Sequence, residues 1–258
     1  MTSNLIEPSI MQNKAVAEVA THGPHISIKA ETLFKISNFS VTNALFTSWL
    51  VVALLVIIAL SYNKNKLVTN ILNLILKPVY GLFKSVFNDK IEVFFPLVMT
   101  YFLYILSLNW LGLLPGVGTI MLKVGHEMVP ILRAGTADLN MTVAFGFMSI
   151  FMVQYYSVVY LGFKKYLNKF FNFANPINAF VGILELISEF SKAISFSFRL
   201  FGNIFAGEVL LTVVAFLVPV LASFPFLLFE FFVGFIQALV FSMLSSIFIS
   251  VAIADHSH

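Results

Sequence analysis

The chain contains no cysteine and few charges along its 258 residues. Without cysteine, disulfides and thiolate-bound metals are excluded. Charged residues make up only 10% of the sequence and hydrophobic residues 59%, which is unlike an ordinary soluble domain. The net charge of +3 is not gathered into the basic face that nucleic-acid binding needs. Residues 1–40 hold no apolar core followed by a small-residue cleavage site, so we expect no removable signal peptide. The high share of hydrophobic residues and the low share of charged ones predict a protein that works in a lipid bilayer.

Hydropathy divides the chain into five segments long enough to cross a bilayer. They cover residues 43–62, 91–114, 141–163, 177–218 and 224–254. The fourth is too long for one perpendicular span, so we expect it to tilt strongly, to lie partly in the membrane plane or to break. Pro219 and Pro225 bracket a predicted turn at Val220–Phe224, which joins the last two segments into a long tilted helical hairpin. The predicted fold class is an all-α integral membrane protein.

Residues 66–88 follow a different pattern, because their polar residues recur mostly every three or four positions between apolar ones. This predicts an amphipathic helix in the cytoplasmic interface. A solvent-facing helix on a soluble core is the alternative, but this chain has no soluble core. Eight of the fifteen Lys and Arg lie in the loops after the first and third segments. The positive-inside rule therefore predicts an external N-terminal segment, residues 1–42, and a cytoplasmic tail, residues 255–258.

Arg199 is the charge that is hardest to reconcile with this composition. It lies inside the fourth segment, between apolar runs at 183–198 and 200–217. A guanidinium stays protonated, and holding one near the bilayer centre costs at least ~2.5–3.5 kcal/mol on insertion scales. The alternative is an arginine that snorkels to the interface, as many near helix ends do. Because the apolar sequence continues on both sides, we predict that Arg199 acts electrostatically on an ion or a carboxylate.

A stripe of polar residues shares the helical face of Arg199. Steps of three or four positions place its members within about 40° of Arg199 on an ideal helix. The members are Glu185, Ser188, Lys192, Ser195, Arg199 and Asn203. Hydrogen bonds across a helix–helix contact would explain the two serines but not the three charges. The stripe therefore predicts a face that is open to water, to a partner helix or to both.

The same face carries small residues that suit a partner. Arg199 cannot carry protons, so any proton that crosses here must travel on a carboxylate that passes the arginine. The chain contains no mobile candidate, and a partner must therefore supply that carboxylate. Gly202 and Ala206 have small-xxx-small spacing, which would let a partner helix approach closely.

Two glutamates that lie away from this face predict a proton relay. Glu208 lies nine residues past Arg199, so an ideal helix turns it about 180° away. Its expected neighbour is the fifth segment, where Glu230 and Gln237 share a face. Two carboxylates held close have separated pKa values and can pass a proton between them. The alternative is that Glu230, near the Pro225 turn, sits in surface water.

Several motifs resemble those of subunit a of rotary F-type ATP synthases, particularly the bacterial form. The family hallmark is matched by Arg-Leu-Phe-Gly-Asn-Ile-Phe-Ala-Gly-Glu at 199–208. Further blocks are Asn-Trp-Leu-Gly-Leu-Leu-Pro at 109–115, Ala-Asp-Leu-Asn at 137–140, Leu184-Glu185 followed by Ser191-Lys192, and Gln-Ala-Leu-Val at 237–240. In order and spacing, the resemblance covers nearly everything after about residue 22.

The resemblance implies a membrane stator with two offset half-channels, which bring protons to and from the carboxylates of a rotating c ring. Arg199 would be the essential arginine that faces the ring. The outer half-channel would be lined by Asn203, Glu208, Glu230 and Gln237, and the cytoplasmic one by Glu185 and Ser195. The best-known bacterial form has a histidine where this chain has Glu230, so both relay positions here carry glutamate.

The resemblance also implies a setting in the bacterial cell inner membrane. The partners would be the c ring, the peripheral-stalk b subunits and the remaining synthase subunits. No Gly-x-x-x-x-Gly-Lys motif is present, so we expect nucleotide chemistry elsewhere in the assembly and no catalytic site or cofactor here. The five histidines have no spacing that suggests a metal site. The coupling ion, H⁺ or Na⁺, stays open, because the ring carboxylate decides it. An ion-coupled secondary transporter is the alternative function, although the paired repeats usual in such folds are not evident.

Overall fold

The computed structural model describes residues 30–36, 39–62, 64–114, 117, 120–124, 127–170, 175–218 and 223–254. Helices dominate this part of the chain. They are α1 (Asn43–Tyr62), α2 (Lys66–Phe87), α3 (Ile91–Leu113), α4 (Leu139–Leu161), α5 (Phe163–Phe170), α6 (Pro176–Leu217) and α7 (Ser223–Ile253). Among the described residues, five stretches, with α2 and α3 taken together, are long and apolar enough to cross a membrane. The predicted all-α membrane fold is confirmed.

Two small β-hairpins, which the sequence did not predict, flank the helices at one end. β1 (Thr32–Ile36) pairs antiparallel with β2 (Phe39–Thr42), directly before α1. β3 (Met121–Val124) pairs antiparallel with β4 (Glu127–Pro130), between α3 and α4. Strands of four or five residues carry too little alternation to stand out from the apolar background. The second hairpin matters because it leads into the loop that carries Arg133.

Most helix boundaries differ from the predicted ones by one or two residues, and two of these differences have a local cause. α4 ends at Leu161 instead of continuing to Phe163, because Gly162 has a φ of +82°, a left-handed value that stops the helix. α7 begins at Ser223, inside the predicted turn, so Phe224 and Pro225 lie in its first turn. Proline is tolerated there because the first turn of a helix needs no N–H partner. Residues 1–29 and 255–258, most of the predicted external segment and the whole predicted tail, lie outside the described residues.

Helix α6 is a single unbroken helix of 42 residues. At 1.5 Å per residue it is about 63 Å long, roughly twice the thickness of the hydrocarbon core. Of the three possibilities that the sequence left open, a break is therefore excluded, and strong tilt or a partly in-plane course remains. Pro176 sits at its start, where proline favours helix initiation, and no other proline interrupts it. Its main packing partners are α4 and α7.

Close packing against α6 depends on glycines. A Cβ on Gly146 of α4 would overlap the Ser197 hydroxyl and the Ala193 carbonyl of α6. Lipid tails are as apolar as the side chains, so the hydrophobic effect does not drive membrane helices together. Their association depends instead on close packing of this kind between their backbones. A hydroxyl pair, Ser149 and Ser245 at 2.7 Å, adds a polar link between α4 and α7 on the same side of the bundle. These contacts fix which face of α6 turns inward.

Helix α2 has the amphipathic character that the sequence predicts. Val79, Phe83 and Phe87 are buried against α3 and α7. Lys66, Lys77 and Lys84 are exposed. Buried aromatics continue into α3, where Phe94 stacks on Phe87 with ring centroids 4.8 Å apart. Its position at the cytoplasmic interface stays a prediction.

Replacing Gly146 with Ala tests the α4–α6 contact. The added methyl has no space beside the Ala193 carbonyl. We therefore expect the free energy of unfolding to fall by about 1–3 kcal/mol, which is the usual cost of overpacking a well-packed core. The measurement is the thermal unfolding midpoint of the detergent-solubilised protein. Gly81→Ala in α2 is the matched control, because nothing lies within 4 Å of a Cβ there. Equal midpoints for the two variants would contradict the close contact.

Candidate functional site

Arg199 lies on the outward face of α6, a little beyond the middle of the helix. It is exposed and makes no hydrogen bond or ion pair with any residue that the structure describes. Ser195, Gly202, Asn203 and Ala206 are also exposed. The face that includes Phe196, Leu200 and Ile204, centred about 100° from Arg199 on an ideal helix, is buried. The guanidinium therefore projects from a face whose charge is not compensated by the described part of the chain.

The remaining members of the polar stripe lie nearer to the start of α6 and are half-buried. They are Glu185, Ser188 and Lys192. The Nζ of Lys192 lies 2.8 Å from an oxygen of Glu189 and 5.0 Å from the centre of the Phe248 ring of α7. None of the six stripe residues is buried, so the stripe is accessible along its length but most open around Arg199.

Glu189 is a buried carboxylate that the sequence analysis missed. Only 8% of its surface is exposed, and it accepts a hydrogen bond of 2.7 Å from the side-chain amide of Gln154 on α4. With Lys192 on its other oxygen, both carboxylate oxygens have a partner. Glu189 lies ten residues before Arg199, which turns it about 80° off the stripe. Its spacing of three residues from Lys192 was the signal that could have identified it.

A cavity of about 400 Å³ opens beside Glu189. Its polar lining comes from Gln154, Tyr166 and Glu189, and the rest is apolar. Burial raises the pKa of Tyr166 on α5, and the negative charge of Glu189 raises it further. The phenol therefore stays protonated at physiological pH. We call this space the inner cavity, because it lies near the Lys164-Lys165 end of the bundle.

Glu208 forms an ion pair with Arg133. Nε of Arg133 lies 3.0 Å from one carboxylate oxygen and 3.3 Å from the other, and Nη2 donates to the second at 3.1 Å. Arg133 has only 8% of its side chain exposed, and Glu208 has 37%. Contacts to both oxygens make this a strong, well-oriented form of arginine–carboxylate pair. The sequence analysis assigned Arg133 no role beyond its charge.

A larger cavity, of about 930 Å³, surrounds this ion pair. Arg133 and Glu208 line it together with Thr212 and Ala215 of α6 and residues at the start of α7. The wall is mainly apolar, so the ion pair is its principal polar feature. We call this space the outer cavity. It lies on the side of the two β-hairpins.

Glu230 lies apart from this pair, in the interface between α6 and α7. Its exposed fraction is 3%, which rules out the alternative that it sits in surface water. A Cβ on Gly207 would overlap the Glu230 carboxylate, so the glycine makes room for it. No hydrogen bond joins Glu230 to Glu208; both residues are described, and Glu208 turns to Arg133 instead. The two glutamates lie at the same turn of α6 but are not hydrogen-bonded to each other.

The turn of α7 after Glu230 is held in place by α3. The amide of Asn109 donates to the Gly234 carbonyl at 2.9 Å, and the indole of Trp110 donates to the Phe231 carbonyl at 3.0 Å. Thr136, in the loop before α4, donates in turn to Asn109. Gln237, two turns beyond Glu230 on α7, is half-buried. Asn109 and Trp110, the first two residues of the block at 109–115, thus hold α7 against α3, a role that their residue types alone did not predict.

The carboxylates of the two cavities lie on opposite sides of Arg199 along one helix. Glu189 is ten residues before it and Glu208 nine residues after it, or about 15 and 14 Å along the axis. Their total separation of about 28 Å is close to the hydrocarbon thickness of a bilayer. The site therefore offers two mainly apolar cavities, each with a carboxylate in its wall, displaced along α6 on either side of a cation that the described residues do not compensate.

Comparison with known proteins identifies the family. The sequence profile of ATP synthase A chain matches residues 45–250. The chain belongs to this family. It is 34% identical over 220 residues to ATP synthase subunit a of Gloeobacter violaceus, covering 82% of this chain and 84% of that one. It is also 29% identical to the subunit a of Moorella thermoacetica, over 89% and 99% of the two chains, and 32% identical to the chloroplastic one of Bigelowiella natans, over 90% and 94%. Membership connects the chain with ATP synthesis and proton transport in a membrane.

No group of three or more candidate metal ligands occurs among the residues placed by the structure. The five histidines, at positions 22, 25, 126, 256 and 258, lie outside the described residues.

Water access to the outer cavity can be tested with single cysteines, because the native chain has none. Ala215 lines the cavity, whereas Phe216 is 60% exposed but is absent from the cavity wall. A thiol reacts as its thiolate, which forms in water and not in hydrocarbon. We expect a membrane-impermeant maleimide to label Ala215→Cys quickly and Phe216→Cys slowly in sealed vesicles. Faster labelling of the second position would mean that water does not enter the outer cavity.

Proposed function

We propose that the chain is the stator of the membrane sector of a rotary ATP synthase. In this role it presents Arg199 to the carboxylates of a c ring and supplies two offset proton half-channels. Proton flow through these half-channels is coupled to rotation of the ring. The family supports the general role, and the residue assignments rest on the geometry of α6.

The observation that carries the proposal is the environment of Arg199. A membrane-length apolar helix exposes a guanidinium that has no partner among the described residues, beside the small residues Gly202 and Ala206. Such a charge is costly in lipid and needs an anion. A carboxylate on an adjacent subunit meets this need, and small residues let its helix come close.

The outer half-channel follows from the outer cavity. Protons would enter past Glu208, and the buried Glu230 and the half-buried Gln237 would carry the path along α7 toward the exposed Asn203. Glu208 and Glu230 are not hydrogen-bonded to each other, but a relay between them needs no direct bond, since one water molecule can bridge two carboxylates. The double-glutamate relay therefore stays a prediction, now with Arg133 as the direct partner of its first member.

The cytoplasmic half-channel would begin at the inner cavity. The family resemblance implies that Glu185 and Ser195 belong to this path, and both lie on the accessible stripe. We add Glu189, because it is the carboxylate that lines a cavity at this end of α6. Its partners Gln154 and Lys192 keep it fixed and compensate its charge.

Arg199 separates the two half-channels electrostatically. A ring carboxylate that has released its proton to one side is attracted to the fixed positive charge as it passes, and takes up a proton on the other side. The guanidinium does not titrate, so protons cannot use it as a direct bridge. Each charge that crosses yields about 2.3 kcal/mol per 100 mV, so several protons are needed for one ATP.

The remaining assignments are those of the assembly. We propose a bacterial inner membrane location, with the N-terminus outside and the C-terminus in the cytoplasm, from the lysines that follow α1 and α4. The c ring would contact the exposed face of α6. Peripheral-stalk b subunits and the other synthase subunits would complete the complex.

Arg199→Ala tests the proposal directly. Removing the fixed charge should lower ATP-driven acidification of inverted vesicles by roughly a hundredfold or more, as the loss of a preorganised electrostatic group does. Arg199→Lys should fail almost as badly, because a lysine in a desolvated site can lose its proton and lacks the planar fork.

The control is Lys77→Ala, which removes a positive charge from the exposed face of α2. It should keep acidification near the wild-type rate. The amount of the subunit in purified synthase should be unchanged in all variants. Wild-type acidification in either Arg199 variant would contradict the proposed function.

A further inference from the structure

Arg133 stands out because it is a buried cation that the proposed mechanism does not use. It is held on a loop that the surrounding structure fixes at several points. Its backbone N–H donates to the Thr47 hydroxyl of α1 at 3.2 Å, and a Cβ on Gly112 of α3 would overlap the next residue, Ala134. Thr136 bonds to Asn109, and the side chain of Asp138 caps α4. The loop thus places the guanidinium at a defined position in the wall of the outer cavity.

From this position Arg133 acts on Glu208 through its charge and its orientation. The guanidinium keeps its protons and cannot relay them. Its contacts reach both oxygens of Glu208, so it fixes the direction of the carboxylate. Glu31, which lies close enough to Glu208 to affect it electrostatically, adds a second negative charge to the group. Without Arg133, a Glu208 that has passed on its proton would be a negative charge in a mainly apolar wall beside another carboxylate.

We propose that Arg133 is a positioning residue of the outer proton pathway: it orients Glu208 and supplies the positive charge that the carboxylate needs each time it has released its proton. In one cycle an O–H bond forms on Glu208 with a proton from cavity water, and the same proton then leaves toward the ring. Between the release of one proton and the uptake of the next, the arginine balances the negative charge of the carboxylate. This inference rests on the proposed function, because it assumes that Glu208 carries protons.

The test compares Arg133→Gln, Glu208→Gln and the double variant in reconstituted synthase, with proton flux into vesicles as the readout. If Arg133 acts through Glu208, each single change lowers flux by roughly tenfold, a moderate effect because the pair is only partly buried. The double variant should be no worse than the poorer single variant. Such strong non-additivity is expected only of residues that act together.

The conservative variant and a control separate this role from a structural one. Arg133→Lys keeps the charge but not the fork, so its flux should lie between wild type and Arg133→Gln. Lys123→Gln removes an exposed positive charge from β3 of the neighbouring hairpin and should leave flux unchanged. If Arg133→Gln does not assemble, Arg133→Lys is compared in the wild-type and Glu208→Gln backgrounds. It should reduce flux in the first and have no effect in the second.

The outcomes distinguish the inference from the proposed function. Losses that multiply in the double variant would overturn the role of Arg133 and leave the outer pathway intact. A loss in Lys123→Gln as large as that in Arg133→Gln would also overturn it, since the effect would then follow the charge of the hairpin. Wild-type flux in Glu208→Gln would contradict the outer pathway itself, and the inference with it.

Discussion

A permanent positive charge in a low-dielectric medium needs an anion, and the two arginines of this chain meet that need in opposite ways. Arg133 finds its carboxylate within the chain, at 3.0 Å. Arg199 finds none among the described residues and projects from an exposed helix face. The ion pair holds Arg133 in place, whereas the described part of the chain leaves Arg199 available to a carboxylate from another subunit. An internal partner for Arg199 would compete with any carboxylate that a neighbouring subunit brings to it.

The length of α6 sets the positions of the charged groups on either side of Arg199. Because the helix is unbroken over 42 residues, it holds Glu189, Arg199 and Glu208 in a rigid order along about 28 Å. Glycines set the contacts on either side: Gly146 brings α4 against the inward face, and Gly207 leaves room for Glu230 of α7. Glu189, Glu208 and Glu230 thus sit beside a cavity or an interface, whereas Arg199 faces outward. A kinked or divided α6 would not keep the two cavities in a fixed relation to the arginine.

Periodicity and composition were sufficient for the membrane-length helices, for the amphipathic α2 and for the exposed face of Arg199, but not for the short α5. Hydrophobic runs of membrane length predict helices whatever the tertiary structure, and the 3.6-residue period places Ser195 and Asn203 beside Arg199. The partners of Glu208 and Glu189 could not be predicted in this way. Arg133 lies 75 residues before Glu208 and Gln154 lies 35 before Glu189, so both pairs depend on how the helices pack. The φ of Gly162 and the two short hairpins are likewise decided by local turns that hydropathy does not record.

The orientation of α6 toward a c ring is the central claim, and cysteine crosslinking measures it directly. Cysteines are introduced one at a time at Ser195, Asn203 and Ala206, on the exposed face, and at Phe201, which an ideal helix turns about 160° from Arg199. Each is paired with a cysteine near the c-subunit carboxylate, and disulfide formation is induced in membranes. The account predicts high yields from the first three positions and little from Phe201. Equal yields from both faces would show that the exposed face of α6 does not meet the ring.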